Sequence, residues 1–323
     1  SLTSEEVIEK VRLAGVVGMG GAAFPAHVKM SPPPEKPIRT LLFNGVECEP
    51  YLTADHRMML EESERVLQGV SLLQYVYGAE RVVIGVEANK PDAIALLKKQ
   101  CADTPVEILP LQVKYPQGAE KQLIAAATGQ EVPSGGLPMD VGVAVHNVST
   151  AAAVADAVML GRPLIERICT VTGPAIKEPK NLRVRIGMPL SHLVEVCGGF
   201  VEDPGKIILG GPMMGFTQVG FDVPVVRGTS GLLLLREDDV TKAVEGPCIR
   251  CARCVQACPM NLLPTAIAAY ARRSLVEETE EYCAMDCIEC GSCSYVCPAN
   301  IPLVQSIRLG KAAVLAKKRK ALL

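Results

Sequence analysis

The chain has 323 residues, 49% of them hydrophobic and 21% charged, so it is neither disordered nor limited to one small core, and two or three domains are expected. A formal net charge of −2 and the absence of Trp leave neither an attracting field nor stacking platforms, which excludes a nucleic-acid role. No apolar run reaches the ~18–20 residues of a spanning helix. Thirteen cysteines, eight of them in two runs after residue 247, suit metal or cluster ligation in a reducing compartment better than a disulfide framework. The first residue is Ser, which reads as a chain processed or excised from something longer.

In chain order, residues 4–14 have helical spacing (Val7, Ile8, Val11), with Ser4 as N-cap and Gly15 as the stop. A glycine-rich segment, Gly18-Met19-Gly20-Gly21-Ala22-Ala23-Phe24-Pro25, and a Pro-rich loop at 32–34 follow. Buried strands are expected at 40–43, 82–86, 106–111 and 141–145, and helices at 57–77, 91–100, 119–127 and 149–160. That alternation predicts a Rossmann-like parallel α/β domain over 1–162. Strands at 168–172, 182–186 and 206–209 around one amphipathic segment, Leu190–Val196, predict a β-grasp domain over 163–236. The remainder, 237–323, is helical between cysteine runs and too poor in apolar residues for a large core, so inorganic centres are expected to hold it together.

The cysteine runs are the strongest signal. Cys248-Ile-Arg-Cys251-Ala-Arg-Cys254-Val-Gln-Ala-Cys258-Pro259 and Cys287-Ile-Glu-Cys290-Gly-Ser-Cys293-Ser-Tyr-Val-Cys297-Pro298 share the spacing C-x₂-C-x₂-C-x₃-C-P and begin 39 residues apart. Three cysteines at intervals of three let one loop wrap a cubane, and in two-cluster ferredoxins the fourth reaches the other cluster. On that logic Cys248, Cys251, Cys254 and Cys297 hold one [4Fe–4S] cluster, and Cys258, Cys287, Cys290 and Cys293 hold the second. Structural zinc favours two separated C-x₂-C pairs around one metal, a poorer fit. Cys283 reads as a buried thiol, and the isolated Cys101, Cys169 and Cys197 read as small core residues, with Cys48 a partial exception because it lies in the segment Asn44 to Pro50.

Gly18-x-Gly20 follows a helix, so it is a poor dinucleotide fingerprint and equally a plain glycine turn. Its glycines nonetheless let backbone amides approach a phosphate, with Lys29 as counter-charge. Asn44-Gly45-Val46-Glu47-Cys48-Glu49-Pro50 ends one strand, where α/β sheets bind ligands; Asn44 is placed for a flavin ring edge, and Glu47 and Glu49 for ribityl or ribose hydroxyls. Asn147-Val148-Ser149-Thr150 ends another strand and is expected to join the same site. The four histidines are dispersed without ligand spacing, and the basic C-terminal stretch reads as a solvated helix end or a face towards a partner or acidic lipid.

The run from Gly20 to Pro25 with Lys29 resembles the flavin loop of the NADH-oxidising subunit of respiratory complex I. Asn44 to Pro50, Tyr115-Pro116-Gln117-Gly118-Ala119-Glu120 and Asn147 to Thr150 resemble further FMN-binding stretches of that subunit. Together with Gly210-Gly211-Pro212-Met213-Met214-Gly215 and the doubled cysteine run, the order of motifs is similar to the C-subunit family of the Rnf electron transport complexes. The chain departs from the complex I pattern at Met19, Val46, Ala119 and Ser149, and the hybrid domain that usually precedes the flavin domain in this family is expected to lie outside these residues.

The resemblance implies FMN, NADH as substrate, a β-grasp (SLBB-type) domain, two clusters, and a peripheral place on the cytoplasmic face of a bacterial inner membrane. Its partners would be other subunits of an ion-translocating NADH:ferredoxin oxidoreductase and, indirectly, a ferredoxin-type carrier. Gly18, Gly20, Gly21 and Lys29 would cradle the phosphate, Phe24 would stack on the nucleotide, and Glu49, Tyr115 and Glu120 would help orient it. A non-catalytic iron–sulfur relay and a related cobalamin reductase are the rival readings.

Two substitutions test the cysteine assignment. Cys254→Ala should lower iron from about eight atoms per chain towards about four. Cys258→Ala should disturb the spectrum of the cluster held by Cys287, Cys290 and Cys293 more than that of the other; the reverse pattern would mean that each run closes on its own cubane.

Overall fold

The computed structural model describes residues 2–240 and 244–321. They divide into two compact units: one holds residues up to 132 and 137–240, and the second holds 133–136 with the residues after 240.

The first unit opens with α1 (Ser4–Leu13). Its cap is Thr3 instead of the expected Ser4: the Thr3 hydroxyl accepts from the Glu6 amide at 3.3 Å and the Glu6 carboxylate accepts from the Thr3 amide at 2.7 Å. After the short helix α2 (Ala26–Lys29) come β1 (Thr40–Asn44), α3 (Ala54–Glu61), α4 (Ser63–Tyr77), β2 (Arg81–Glu87), α5 (Pro91–Gln100), β3 (Val106–Leu111), α6 (Glu120–Thr128), β4 (Val143–Asn147) and α7 (Val148–Met159). The helix expected at 57–77 is two, because Glu62 leaves helical geometry (φ −126°) and turns its carboxylate to Arg65 and Arg183 at 3.0 and 2.6 Å. The strand expected at 141–145 begins two residues later, since Gly142 (φ +68°) closes a 3₁₀ turn first.

These strands form a parallel four-stranded sheet in the order β3-β2-β1-β4. In that order the chain progresses outward through β2 and β3 and then returns to the other side of β1. The β1/β4 boundary is therefore a topological switch point, where the carboxyl ends of the strands open a crevice for ligands. The register pairs Asn44 with Asn147 at that end.

The helix α7 is buried almost all round, including Ala151, Ala152, Ala155 and Ala157, and its small residues admit α4 closely. Gly69 of α4 lies against the Ala151 carbonyl, where an added Cβ would come within 1.8 Å of the oxygen.

The rest of this unit is a five-stranded mixed sheet, ordered β6-β5-β9-β7-β8, made from β5 (Glu166–Thr172), β6 (Lys180–Arg185), α8 (Leu190–Val196), β7 (Pro204–Leu209), β8 (Phe216–Gln218) and β9 (Gly231–Arg236). With one helix on the sheet, this is the β-grasp arrangement. The strands β8 and β9 are not among those expected. The second is central and buries Leu232, Leu233 and Leu234 completely, so its sequence is an unbroken apolar run without the alternation that marks a half-exposed strand.

In the second unit, α9 (Arg253–Gln256) and α12 (Ser292–Tyr295) carry the third cysteine of each run, Cys254 and Cys293, and α10 (Pro264–Arg272), α11 (Val276–Glu281) and α13 (Leu303–Ala321) pack beside them. Its small core contains Cys254, Ile267, Cys293, Leu303 and Ile307. Cys283, expected to be buried, is exposed; it opens a 3₁₀ turn at φ +58°, which directs the thiol outward. Lys317 and Lys318, expected as a solvated helix end, pair with Glu277 and Glu280 at 2.9 Å.

Gly69→Ala should lower the urea midpoint of the first unit by the equivalent of about 1–3 kcal/mol, because the Ala151 backbone must move. Gly220→Ala, where an added Cβ meets nothing within 4 Å, should leave it unchanged.

Candidate functional site

Three segments that are distant in sequence meet at the β1/β4 switch point. The glycine loop 18–24 is closed at its base by the Gly18 amide donating to the Phe24 carbonyl at 2.8 Å, and by a bridge between Val17 and Pro25. The Met19 amide donates to the Thr150 hydroxyl at 2.9 Å, pinning the loop to the start of α7. From the other side the buried Arg167 of β5 donates to the Met19 carbonyl at 3.3 Å. Gly20, Gly21 and Ala22 lie at the open tip of the loop, and their amides have no partner among the described residues. Gly21 sits at φ +119°, a conformation side chains resist, and faces open space.

The second segment follows β1. Asn44 donates to the Gly118 carbonyl at 2.7 Å and accepts from the Val46 amide at 3.2 Å, tying this turn to the 115–120 loop. Gly118 in turn donates to the Cys48 sulfur at 3.3 Å. Glu47 accepts from the Asp55 and His56 amides at 2.8 and 3.0 Å, so its carboxylate caps α3. Glu49 is drawn away towards the β-grasp sheet, where it accepts from the Met213 and Met214 amides at 3.2 and 2.7 Å. A Cβ at Gly211 would lie 2.3 Å from the Glu49 carboxylate, so a side chain there would displace Glu49 from these amides.

The third segment follows β4. Asn147 caps α7 by accepting from the Ser149 amide at 2.8 Å, and its own amide donates to Asp55 at 2.6 Å. The Ser149 hydroxyl donates to the other Asp55 oxygen at 2.7 Å. Lys29 donates to Glu120 at 2.6 Å and to the Val145 carbonyl at 2.7 Å, so this cation, expected to face a phosphate, already has a carboxylate partner. His146 is fully buried; desolvation first, and the Lys29 charge second, push its pKa down to about 3, so it stays neutral. It is bonded to Tyr77, whose hydroxyl donates to the Lys29 carbonyl.

Gly18, Gly20, Lys29, Asn44, Glu47, Glu120, Asn147 and Thr150 are thus linked around one strand-end crevice. Phe24 is half exposed on the loop, and Tyr115 is half-buried. Asp55 and Arg167 are the site residues that sequence reasoning misses. Reading Thr53 as a helix start would bring Asp55 into a first turn. Arg167 lies one residue before the strand expected at 168–172, beside Glu166, and so reads as a solvated strand end.

In the second unit, Cys258 lines one small pocket with Cys287, Cys290 and Cys293, walled by apolar residues such as Met260, Leu262 and Ile307. Cys254 lies close enough to Cys248 and Cys297 for their charges to raise its pKa, although burial is the larger cause. Each neighbourhood therefore draws on both runs. Among the described residues no three Cys, His, Asp or Glu side chains converge on a single ion. A cubane needs no such convergence, because each thiolate binds a different iron. Exposed unpartnered amides beside a switch point likewise suit the phosphate of a flavin nucleotide.

A nucleotide crevice and two thiol neighbourhoods in one chain define an iron–sulfur flavoprotein. Residues 11–156 match the Nuo51 FMN-binding domain, 168–217 the SLBB domain and 247–301 the 4Fe-4S dicluster domain. The chain is 52% identical over 312 residues to the C-subunit of the proton-translocating ferredoxin:NAD(+) oxidoreductase complex of Clostridium ljungdahlii, covering 96% of this chain and 68% of the relative. It is 51% identical over 317 residues to the C-subunit of the Na(+)-translocating ferredoxin:NAD(+) oxidoreductase complex of Acetobacterium woodii, covering 98% and 72%. The C-subunit of the ion-translocating oxidoreductase complex of Pseudomonas aeruginosa is 43% identical over 98% of this chain, which spans 41% of that relative's length. The chain belongs to this C-subunit family. A crystal structure of NAD+-reducing [NiFe]-hydrogenase in the H2-reduced state shares the fold, with a TM-score of 0.62 at 16% identity over 97% of this chain and 61% of that one.

The Asp55 carboxyl is held above the ordinary range by burial, which outweighs its bonds to Ser149 and Asn147 and the charge of Arg167. The folded chain thus keeps a proton that the unfolded chain releases near pH ~4. That contribution to stability is complete below this value and is lost as pH rises through the folded pKa. Asp55→Asn should flatten this part of the pH dependence of the urea midpoint. Asp55→Ala should cost about 1–3 kcal/mol at neutral pH by removing the acceptor that Asn147 and Ser149 share.

Proposed function

We propose that the chain is the electron-transfer subunit that takes electrons from NADH and passes them to other subunits of a membrane-bound, ion-translocating NADH:ferredoxin oxidoreductase. The observation that carries this reading is the meeting of the glycine loop, the Asn44 turn and the Asn147 cap at one switch point, in a chain that also gathers seven of the eight thiols of its cysteine runs into two mixed neighbourhoods. FMN, when bound, accepts the two electrons of hydride and releases them singly, as one-electron clusters require.

The residues have distinct tasks in this reading. The amides of Gly20, Gly21 and Ala22 hold the phosphate, and Gly18 and Thr150 fix the loop that presents them. Lys29 and Glu120 act as a pair: the lysine sets the carboxylate at the start of α6, beside the Tyr115 loop, where it orients the nucleotide. Asn44, Glu47 and Asn147 shape the floor of the crevice through their backbone partners, Phe24 offers an exposed ring for stacking, and Glu49 fastens the β-grasp sheet to the rim. Cys248, Cys251, Cys254 and Cys297 hold one cluster, and Cys258, Cys287, Cys290 and Cys293 the other. The domains run over 1–162, 163–236 and 237–323.

No helix among the described residues is long and apolar enough to cross a membrane. We place the chain peripherally on the cytoplasmic face, with a ferredoxin-type carrier reached through other subunits.

Titration of FMN into the chain should show saturable binding. Gly21→Val should weaken it by forcing a side chain into a positive-φ position. Lys29→Ala should also weaken it, by releasing the Glu120 carboxylate that the lysine holds beside the crevice. Iron content should be unchanged in both. Absence of binding by the unsubstituted chain at millimolar FMN would favour the non-catalytic relay.

A further inference from the structure

The two cysteine runs have the same backbone and opposite charge. Arg250 and Glu289 occupy equivalent places, between the first and second cysteines of their runs, and both sit at φ +57°. Ala252 (φ +60°) and Gly291 (φ +79°) are equivalent in the same way, each just before its short helix. Around the second run the charge is neutralised internally: Glu289 pairs with Arg308 at 3.0 Å and with Lys311 at 2.7 Å, and Lys311 also donates to the Cys287 carbonyl at 2.7 Å. Cys290 and Cys293 are buried there.

Around the first run no such pairing occurs among the described residues. Arg250 and Arg253 are exposed, and neither side chain has a partner among the described residues. Ile249 beside them is 65% exposed, whereas its counterpart Ile288 is half-buried. The one carboxylate nearby in sequence, Glu245, is paired with Arg272. An apolar side chain flanked by two free guanidinium groups has the composition of a protein interface. On a chain of net charge −2, such a local patch steers an acidic partner.

We propose that the face bearing Ile249, Arg250 and Arg253 is where the first cluster exchanges electrons with an acidic redox protein. The inference rests on the cluster assignment of the preceding section and goes beyond it by fixing which cluster meets the partner. One electron passes between the cluster and the one-electron centre of the partner; the donor is oxidised by one and the acceptor reduced by one, with no bond or proton moved. A protein is favoured over an acidic lipid surface because the charges border a redox loop and enclose an apolar contact.

The test uses the cluster-loaded chain, reduced with stoichiometric dithionite and mixed rapidly with either an acidic ferredoxin or a basic cytochrome c. The rate constant with the acidic protein should fall as salt rises, and Arg250→Gln with Arg253→Gln should lower it by about tenfold or more at low salt. Iron content and the rate with a small neutral acceptor should stay as in the unsubstituted chain. If the double variant loses its cluster, the salt dependence of the unsubstituted chain decides the matter. A salt-independent rate with the ferredoxin, or a faster low-salt rate with the cytochrome at equal driving force, would overturn the proposal. So would loss of binding to anionic phospholipid vesicles in the variant with its ferredoxin rate intact, which would make the face a lipid contact. Because dithionite supplies the electrons, a chain that fails to bind FMN still gives this measurement, so the two readings fail separately.

Discussion

Asp55 is the constraint on which the crevice depends. Its carboxyl group is half-buried, accepts from Asn147 and Ser149, and lies in the field of Arg167. A part-buried carboxyl group in such a network is costly to leave unpaired, so its partners are strongly coupled to one another. Glu47 fixes the carboxylate by capping the helix that carries it, Asn147 passes the constraint to α7, and Thr150 passes it to the glycine loop. Arg167 closes the circuit by gripping the same loop from the β-grasp sheet. The open amides of Gly20 to Ala22 are thus presented by a rigid base, which limits the reorganisation needed to receive an anion.

The parts legible in the sequence are those fixed by short-range rules. The cysteine spacing is dictated by the size of a cubane, and the loops at 44–50 and 147–150 lie where strand ends must lie in a parallel sheet. What stays hidden depends on tertiary context. The break at Glu62 is set by two arginines, one of them more than a hundred residues away, and β9 carries no alternation because both its faces are covered. Asp55 escapes notice because the apolar periodicity of its helix begins only after it. The partners of Glu47 and Glu49 cannot be read at all: both look like solvated or ligand-facing carboxylates, and both bind backbone amides of their own chain.

The second unit shows how a duplicated backbone is made asymmetric. Positive φ angles recur at Arg250 and Glu289 and again at Ala252 and Gly291, so the loop geometry is held by the duplication itself. The side chains at those places meet different environments, one ion-paired and half-buried, the other free and exposed. Solvent exposure and local charge are among the terms that set a cluster's reduction potential. Two clusters in nearly identical loops are thereby given different electronic surroundings without any change of ligand type.

The central claim is that electrons enter at the strand-end crevice and reach both clusters within this one chain. It is tested most directly by paramagnetic resonance of the cluster-loaded, FMN-supplemented protein after anaerobic addition of NADH, with dithionite reduction as the reference. The account predicts that NADH gives rise to reduced-cluster signals that require FMN and disappear in Cys254→Ala and Cys293→Ala for their respective clusters. Cluster signals that appear with dithionite but never with NADH, in a protein shown to hold FMN, would contradict it.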